Sequence, residues 1–134
     1  MDPGPIVEVL ERYPEVRLAY LFGSVAEGRE TTASDVDVSV LVPEATDFLA
    51  LDKLQADLER TLRRRVDLVD LRKAPPLLAH HIISRGRLLL CRDEDERVAI
   101  VTSIMAKYLD TAYLRKVQYE YLRERAEARH AASR

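Results

Sequence analysis

The chain has 134 residues, of which 47% are hydrophobic and 33% are charged, and this suits one small domain with a modest apolar core. Its 21 Lys and Arg residues against 23 Asp and Glu residues leave a formal net charge of -2, so no strong positive field exists to hold a nucleic-acid backbone. Cys91 is the only cysteine, which excludes an intrachain disulfide and a multi-cysteine zinc site and fits a reducing cytoplasm.

The beginning of the chain lacks the pattern of a secretion signal, because Asp2, Glu8 and Glu11 interrupt its apolar residues. The longest mostly apolar stretch, residues 98–106, is about half of the roughly 20 residues that a membrane-spanning helix requires. We therefore expect a protein of the cytoplasm that has neither a membrane nor a nucleic acid as a direct partner.

The spacing of apolar residues, together with the Gly and Pro residues, predicts the order helix, strand, polar loop, strand, helix, strand, helix, strand, helix. The predicted ranges are, in that order, 3–13, 18–22, 26–34, 35–42, 49–62, 66–71, 75–83, 87–91 and 93–129. This order indicates an α/β or α+β fold, in which helices flank a small mixed β-sheet and a long helix ends the chain. No repeat or shift in composition marks a boundary, so we expect one domain over residues 1–134, with residues 93–134 as a C-terminal helical extension.

The last helix is predicted as one long element because residues 93–129 contain no Gly or Pro and are rich in strong helix formers. Its apolar stripe consists of Val98, Val101, Met105, Tyr108 and Ala112. Four of the six tyrosines lie on this helix, which suits a protein interface. We expect Tyr108 to pack on the sheet, and at least one of the others to face a partner or solvent. These others are Tyr113, Tyr119 and Tyr121.

The clearest strand, residues 35–42, places two carboxylates on one face, since Asp35 and Asp37 are two positions apart. The alternate positions are occupied by valines, which assign the opposite face to the core and leave the carboxylates at a cleft or in solvent. Their α-carbons are about 6.6 Å apart in a regular strand, a separation from which both can reach two cations about 3.5 to 4 Å apart. The pair is therefore a candidate metal site.

Gly23 and Ser24 follow the predicted buried strand of residues 18–22, and ten residues separate them from Asp35. Glycine allows a backbone conformation and a close approach that a side chain would prevent, and the serine adds a hydroxyl beside exposed amide hydrogens. Both features suit the binding of a phosphate chain. Arg29, in the polar loop that follows, is a further candidate for contact with the negative charge of phosphate groups.

A third carboxylate is expected from a neighbouring strand, and residues 66–71 offer Asp67 and Asp70. These two residues are three positions apart, so in a regular strand they point to opposite faces and only one of them can join the cleft. We favour Asp67, because it lies at mid-strand between apolar residues, where a carboxylate has little structural reason to occur. Asp70 is closer to the strand end, where it can be solvated or can cap a helix.

These separated parts, Gly-Ser, ten residues, Asp-x-Asp and a later strand with an Asp between apolar residues, resemble the minimal nucleotidyltransferase domain of the DNA polymerase beta superfamily. Within that superfamily the chain is most similar to the MntA-type antitoxins, which pair with HepT-type HEPN toxins. The motifs cover residues 18–71, and the remaining length with its Tyr-rich terminal helix is also similar.

The resemblance implies a nucleotidyltransferase-like fold and a role for each motif. Gly23 and Ser24 would bind the triphosphate of ATP, the substrate. Asp35, Asp37 and Asp67 would hold two Mg²⁺ ions, and Asp67 would also assist deprotonation of the acceptor hydroxyl. AMP would be transferred to a tyrosine of a HEPN ribonuclease toxin, in a hetero-oligomer, and the protein would be the antitoxin of a type VII toxin–antitoxin system.

Two other functions remain open from the sequence. The protein could be a non-catalytic antitoxin that masks its toxin with the terminal helix. It could instead transfer a nucleotide to a small molecule such as an aminoglycoside, although little length remains for a separate substrate domain.

Overall fold

The computed structural model describes residues 1–29 and 35–132, so residues 30–34 of the predicted polar loop lie outside the described part. The first elements are α1 (Gly4–Glu11), β1 (Leu18–Phe22), α2 (Gly23–Ala26), β2 (Val36–Leu41) and α3 (Phe48–Leu62). The remaining elements are β3 (Val66–Asp70), α4 (Pro76–Arg85), β4 (Arg87–Cys91) and α5 (Glu94–Ala132). Every predicted helix and strand is present within a few residues of its predicted bounds. The short helix α2 was not predicted.

The four strands form one mixed sheet in the order β3-β2-β1-β4. β1 is antiparallel to both β2 and β4, whereas β2 and β3 are parallel and are joined through α3. A parallel pair requires a crossover connection of this kind, because a tight turn can join only antiparallel strands. The prediction of a small mixed sheet flanked by helices is confirmed.

The crossover helix α3 has an identifiable signal at each end. The Asp47 side chain accepts a hydrogen bond from the Leu49 backbone N–H at 3.1 Å, so it caps the first turn. At the other end Arg63 adopts a left-handed conformation with φ 53°, which stops the helix just before β3. The length of the crossover between the two parallel strands is set by these two residues.

The sheet has a buried core on each face. On one face α1 and α3 cover alternate residues of the strands, among them Val36, Val38 and Val40 of β2. On the other face α4 and the first part of α5 cover a second cluster that includes Tyr20, Phe22, Leu41, Leu71, Ile82 and Ile104. The alternation of β2 therefore directs Asp37 and Ser39 to the face that α4 and α5 cover.

The final helix α5 is a single element, as predicted, but it packs partly through residues outside the predicted stripe. Ile104 is its buried side chain in the described range, and Ile100 packs beside it, whereas Val98 and Met105 of the predicted stripe are exposed. Tyr108 stacks on the ring of His80 in α4, with centroids 3.6 Å apart, and so packs on a helix instead of on the sheet. The predicted stripe was wrong at Val98 and Met105, because α5 lies on α4, which only the tertiary arrangement determines. Its other members, Val101, Tyr108 and Ala112, are half-buried.

Arginine side chains connect the start of α5 and its preceding turn to the rest of the fold. The Arg92 Nε donates to the Val16 carbonyl at 2.7 Å. A terminal nitrogen of Arg92 donates to the carbonyls of Glu11, the last residue of α1, and Tyr13, both at 3.3 Å. Arg17 donates to the Glu96 carboxylate from two nitrogens.

Among the described residues, no helix has the length and apolarity needed to cross a membrane.

Candidate active site

The central relationship of the site is the pairing of Asp37 on β2 with Asp67 on β3. The two residues are direct partners in the parallel register, so their side chains leave the sheet on the same face. Asp35 precedes β2 by one residue and has the same parity as Asp37. The fold thus brings the carboxylate of Asp67 to the pair Asp35 and Asp37, from which it is distant in the sequence.

Asp70 lies on the opposite face of the sheet. It pairs with Val40, whose side chain belongs to the core under α1 and α3. The Asp70 carboxylate accepts a hydrogen bond from the Arg72 backbone N–H at 3.0 Å, and its carbonyl accepts the amides of Lys73 and Ala74. Asp70 therefore stabilises the turn that leads into α4, and it does not approach Asp37.

The three carboxylates affect one another electrostatically. The pKa of Asp37 is raised above its usual value, mainly because the carboxyl is partly buried and further because the charges of Asp67 and Asp35 are close. Like charges in a partly buried site disfavour ionisation, so this cluster is costly to the folded state at neutral pH. Such a cluster is favourable where cations neutralise it.

Gly23 is in direct contact with this cluster. It follows Phe22, the register partner of Asp37, and its φ is 76°, a conformation that strains any residue with a side chain. A β-carbon built at position 23 would overlap with the Asp37 Oδ2 atom. The glycine therefore permits both the turn out of β1 and the close approach of the backbone to the carboxylate.

Ser24 lies in the first turn of α2, immediately after the glycine. Its carbonyl accepts the Arg29 backbone N–H at 2.9 Å, which closes the segment around α2. Its N-cap residue, Phe22, has no side-chain group that caps the N-terminal amides of α2. The first amides of a helix have no partners within the helix, so this turn presents hydrogen-bond donors next to the carboxylates.

Arg29 is placed differently from the other predicted site residues. Its guanidinium forms an ion pair with Glu27, and its side chain is 69% exposed. The structure therefore brings Gly23 and the three carboxylates together, with Ser24 next in the chain, but it shows Arg29 engaged with a neighbouring carboxylate at the edge of the site.

The family model described as "Polymerase beta, Nucleotidyltransferase" matches residues 5–95, which include every element from α1 to β4. The chain belongs to the polymerase beta nucleotidyltransferase family. This assignment confirms the resemblance drawn from the motifs and the predicted enzyme class.

Relatives extend the similarity to most of the chain of this nucleotidyltransferase. Protein adenylyltransferase MntA of Shewanella oneidensis is 33% identical over 111 residues, which cover 81% of this chain and 80% of that protein. A crystal structure of a toxin–antitoxin with AMP-PNP contains a chain that is 28% identical, with a TM-score of 0.78 and coverage of 91% of this chain and 98% of that chain.

A second solved structure is the rebuilt and re-refined complex of the tri-AMPylated Shewanella oneidensis HEPN toxin with MNT antitoxin. One of its chains is 26% identical to the nucleotidyltransferase, with a TM-score of 0.69 and coverage of 89% of this chain and 93% of that chain. The similarity includes α5, since about nine-tenths of the chain is covered. The nucleotidyltransferase-like fold with its long terminal helix is therefore shared with these proteins.

The carboxylates of the nucleotidyltransferase fit Mg²⁺ by the chemistry of their donor atoms, which are hard oxygen ligands. Within residues 1–29 and 35–132, however, no three His, Cys, Asp or Glu side chains are placed so that they could together hold one metal ion. The two observations agree if each ion takes one or two carboxylates and completes its shell with phosphate oxygens and water, as Mg²⁺ commonly does.

Sequence reasoning missed two residues of α4 that lie near this end of the sheet, His81 and Arg85. The Arg29 ion pair is the main cause of a lowered pKa of Glu27, and the charges of His81 and Arg85 lower it further. Both side chains are exposed. These two residues are far in sequence from the Gly-Ser motif, so no motif links them to it. Only the packing of α4 on the sheet brings them to α2.

Proposed function

We propose that this nucleotidyltransferase is a protein adenylyltransferase, which transfers AMP from ATP to a tyrosine hydroxyl of a HEPN-family ribonuclease toxin and so acts as its antitoxin in a type VII system. The observation that carries the proposal is the register pairing of Asp37 and Asp67 beside Gly23. Support comes from the similarity to protein adenylyltransferase MntA and to chains of the toxin–antitoxin complexes, one with AMP-PNP and one with a tri-AMPylated toxin.

The proposed roles follow the placement of the residues. Asp35, Asp37 and Asp67 would hold two Mg²⁺ ions, which would supply positive charge to the phosphates and lower the pKa of the acceptor hydroxyl. Gly23 and Ser24 bind the triphosphate through the backbone and the hydroxyl, and Arg29 contributes positive charge at the edge. Asp67 also accepts the proton of the attacking hydroxyl, because it faces the same side of the sheet as Asp37.

The reaction requires this assistance because a tyrosine hydroxyl, with an ordinary pKa of about 10, is mostly protonated at neutral pH. A bond forms between the tyrosine oxygen and the α-phosphorus, the bond from that phosphorus to the bridging oxygen breaks, and pyrophosphate leaves with its negative charge. The proton passes to the carboxylate. Donors fixed in advance around the leaving group stabilise the developing charge.

The terminal helix supports a protein partner. Beyond Tyr108 it has exposed large apolar side chains, among them Leu109, Tyr113, Leu114, Val117, Tyr119, Tyr121 and Leu122. Exposed apolar groups of this number on one helix are characteristic of interaction surfaces. We propose that residues 1–134 act as one domain of the cytoplasm, with residues 93–134 as the extension that contacts the toxin in a hetero-oligomer.

The same exposed residues favour a second candidate function, a module that neutralises its toxin by covering it without catalysis. The two proposals are separated by intact-protein mass spectrometry of a co-expressed HEPN partner after incubation with the protein, ATP and Mg²⁺. The adenylyltransferase proposal predicts mass increases in steps of AMP, absent with the Asp35→Asn, Asp37→Asn double variant. The matched control is Asp70→Asn, which removes a carboxylate from the opposite face of the same sheet.

A stable complex whose toxin gains no mass would overturn the catalytic proposal and support the covering module. Transfer that persists in the double variant would contradict the assignment of the carboxylates. Removal of residues 109–134 gives a further distinction, since a covering module then loses neutralisation in the same measure as it loses binding. The Asp35→Asn, Asp37→Asn double variant keeps its binding, so under the catalytic proposal it loses neutralisation alone.

A further inference from the structure

The C-terminal end of α4 lies at the same end of the sheet as Gly23. Gly86, which ends this helix, packs against β1 so closely that a β-carbon there would lie 3.1 Å from the Leu21 carbonyl oxygen. Arg87 is the register partner of Leu21 in the antiparallel pairing of β4 with β1. Leu21 is two residues from Gly23, which is about 6.6 Å along an extended strand. Arg85 is thereby brought to the edge of the candidate nucleotide site.

Arg85 and His81 are four positions apart on α4, so they lie on one face of the helix in consecutive turns. Both contribute to the lowered pKa of Glu27, after the main contribution of the Arg29 ion pair. Two side chains of α4 that can donate hydrogen bonds thus approach α2 from one side, where Glu27 already forms an ion pair with Arg29. The same face of α4 borders a surface cavity of about 580 Å³ that Leu77, Leu78 and Ser84 also line.

The proposed reaction requires positive charge at this position. The β- and γ-phosphates of ATP leave together as pyrophosphate, and the Gly-Ser turn offers only neutral donors to them. Glu27 offsets part of the positive charge that Arg29 contributes at the edge of the site. A guanidinium from another element is well suited to this task because it presents several donors in a planar arrangement that matches phosphate oxygens.

We propose that Arg85 and His81 of α4 bind the β- and γ-phosphates of the nucleotide, and that Glu27 competes with those phosphates for the same positive charges. The inference rests on the proposed function insofar as Gly23 and Asp37 mark the nucleotide site. Arg85 is the principal contact, and His81 adds a ring N–H donor one turn earlier. Glu27 lowers the affinity for triphosphate by holding the cations that the phosphates require.

The test is isothermal titration calorimetry of the full chain with Mg²⁺ and either AMP-PNP or AMP. We expect Arg85→Gln to weaken AMP-PNP binding about tenfold or more, the size of effect typical of a lost hydrogen bond to a charged group, while AMP binding is unchanged. His81→Asn weakens AMP-PNP binding by a smaller factor. Glu27→Gln acts in the opposite direction and tightens AMP-PNP binding. Arg72→Gln is the matched control, because Arg72 is exposed beyond the C-terminal end of β3, at the far end of the sheet.

The outcomes separate the inference from the proposed function. If the wild-type chain binds AMP-PNP and Arg85→Gln leaves its affinity unchanged, the assignment of Arg85 is overturned and the nucleotide site stands. Equal weakening of AMP-PNP and AMP by Arg85→Gln also overturns it, since the residue would then not act on the outer phosphates. If the wild-type chain binds neither nucleotide, both proposals fail. Should Arg85→Gln fail to fold by circular dichroism, Glu27→Gln gives the answer, and unchanged affinity in that variant overturns the competition.

Discussion

The carboxylate of Asp37 occupies the space that a side chain at Gly23 would require. Gly23→Ala is therefore unfavourable for two reasons. It places a β-carbon at a residue with positive φ, and that β-carbon overlaps with Asp37 Oδ2. We expect this variant to lose nucleotide transfer, because either the carboxylate or the Gly-Ser turn must move away from its place. The rate of AMP incorporation into the partner, measured by mass spectrometry, checks the loss.

Gly28 provides the control for that variant. Its φ is 72°, close to that of Gly23, but a β-carbon there would meet no atom of the described residues within 4 Å. Gly28→Ala thus carries the backbone strain alone, which costs about 1–2 kcal/mol in the free energy of unfolding. Transfer by Gly28→Ala at a temperature where it is folded should remain near the wild-type rate. Equal loss of transfer in both variants would show that strain, and not the contact with Asp37, is responsible.

The parity of β3 makes Asp67 and Asp70 a natural pair of test positions. Asp67→Asn removes a carboxylate that faces Asp37, so we expect transfer to fall about a hundredfold or more, as for the loss of a group that accepts a proton. Asp70→Asn keeps an oxygen that accepts the Arg72 backbone N–H, so we expect its free energy of unfolding to stay within about 0.5 kcal/mol of the wild type, with transfer retained. Single-turnover rates together with urea unfolding of both variants distinguish these roles, and the reverse pattern would assign Asp70 to the site.

Asp37 should make stability depend on pH in a direction opposite to that of most carboxylates. Because its pKa in the folded protein lies above the ordinary value of 3.8, folding favours the protonated form. The cost of ionising Asp37 is therefore absent at low pH and develops as the pH rises from 3.8 through the folded pKa. Asp37→Asn should be more stable than the wild type at pH 7, and this advantage should disappear below about pH 4.

Urea unfolding of both proteins across this range measures the effect, since the difference between them cancels the contribution of the other carboxylates. Addition of Mg²⁺ at pH 7 should raise the unfolding midpoint of the wild type by binding only the folded state, and it should do so less in Asp37→Asn. A variant that is less stable than the wild type at pH 7 would contradict the electrostatic interpretation of the cluster.

Ser39 follows Asp37 on the same face of β2 and is fully buried. In the part of the chain that the structure describes, its hydroxyl has no hydrogen-bond partner. An unsatisfied buried hydroxyl is unfavourable, so we expect Ser39→Ala to raise the free energy of unfolding by about 1 kcal/mol. Thermal unfolding checks this, and a large loss of transfer in a stable Ser39→Ala variant would instead assign the hydroxyl a role in the site.

The hydrogen bond of Tyr13 contributes to stability at a distance from the candidate active site. Its hydroxyl donates to Asp57 of α3, and its pKa is raised to about 12, mainly by burial and then by this carboxylate. The raised value means that the stabilising contribution is complete below pH 10 and is lost as the pH rises towards 12. Tyr13→Phe should be less stable at pH 7, with normal transfer. A titration of phenolate absorbance in which no tyrosine ionises above the ordinary pKa of 10 would contradict the raised pKa of Tyr13.

Much of this fold could be predicted from the sequence, because local patterns report local structure. The alternation in β2 correctly separated the core valines from Asp37, and the parity of β3 correctly placed Asp67 and Asp70 on opposite faces. Both arguments succeed because the side chains of a strand alternate strictly, whatever the rest of the chain does. The spacing of the motifs also indicated the family to which the chain belongs.

The parts that could not be predicted depend on packing between distant elements. α2 has only four residues, too few for a periodic signal, and it starts at a glycine that reads as a turn. The exposure of Val98 follows from the position of α5 on α4, and the approach of Arg85 to α2 follows from the contact of Gly86 with β1. The ion pair of Arg29 with Glu27 likewise depends on side-chain conformation, which the spacing of residues in the sequence does not predict.

The length of α5 implies a gradient of hydrogen exchange along one continuous helix. Ile104 is its buried residue in the described range, and the turns after Tyr108 are supported mainly from within the helix, as by Arg123 and Glu127 at 3.9 Å. Amide hydrogens of these outer turns can exchange through local opening, without global unfolding, whereas those of the turns packed on α4 exchange more slowly. Any protein that covers the outer turns will slow their exchange, so the protection of α5 residue by residue reports directly where a partner lies.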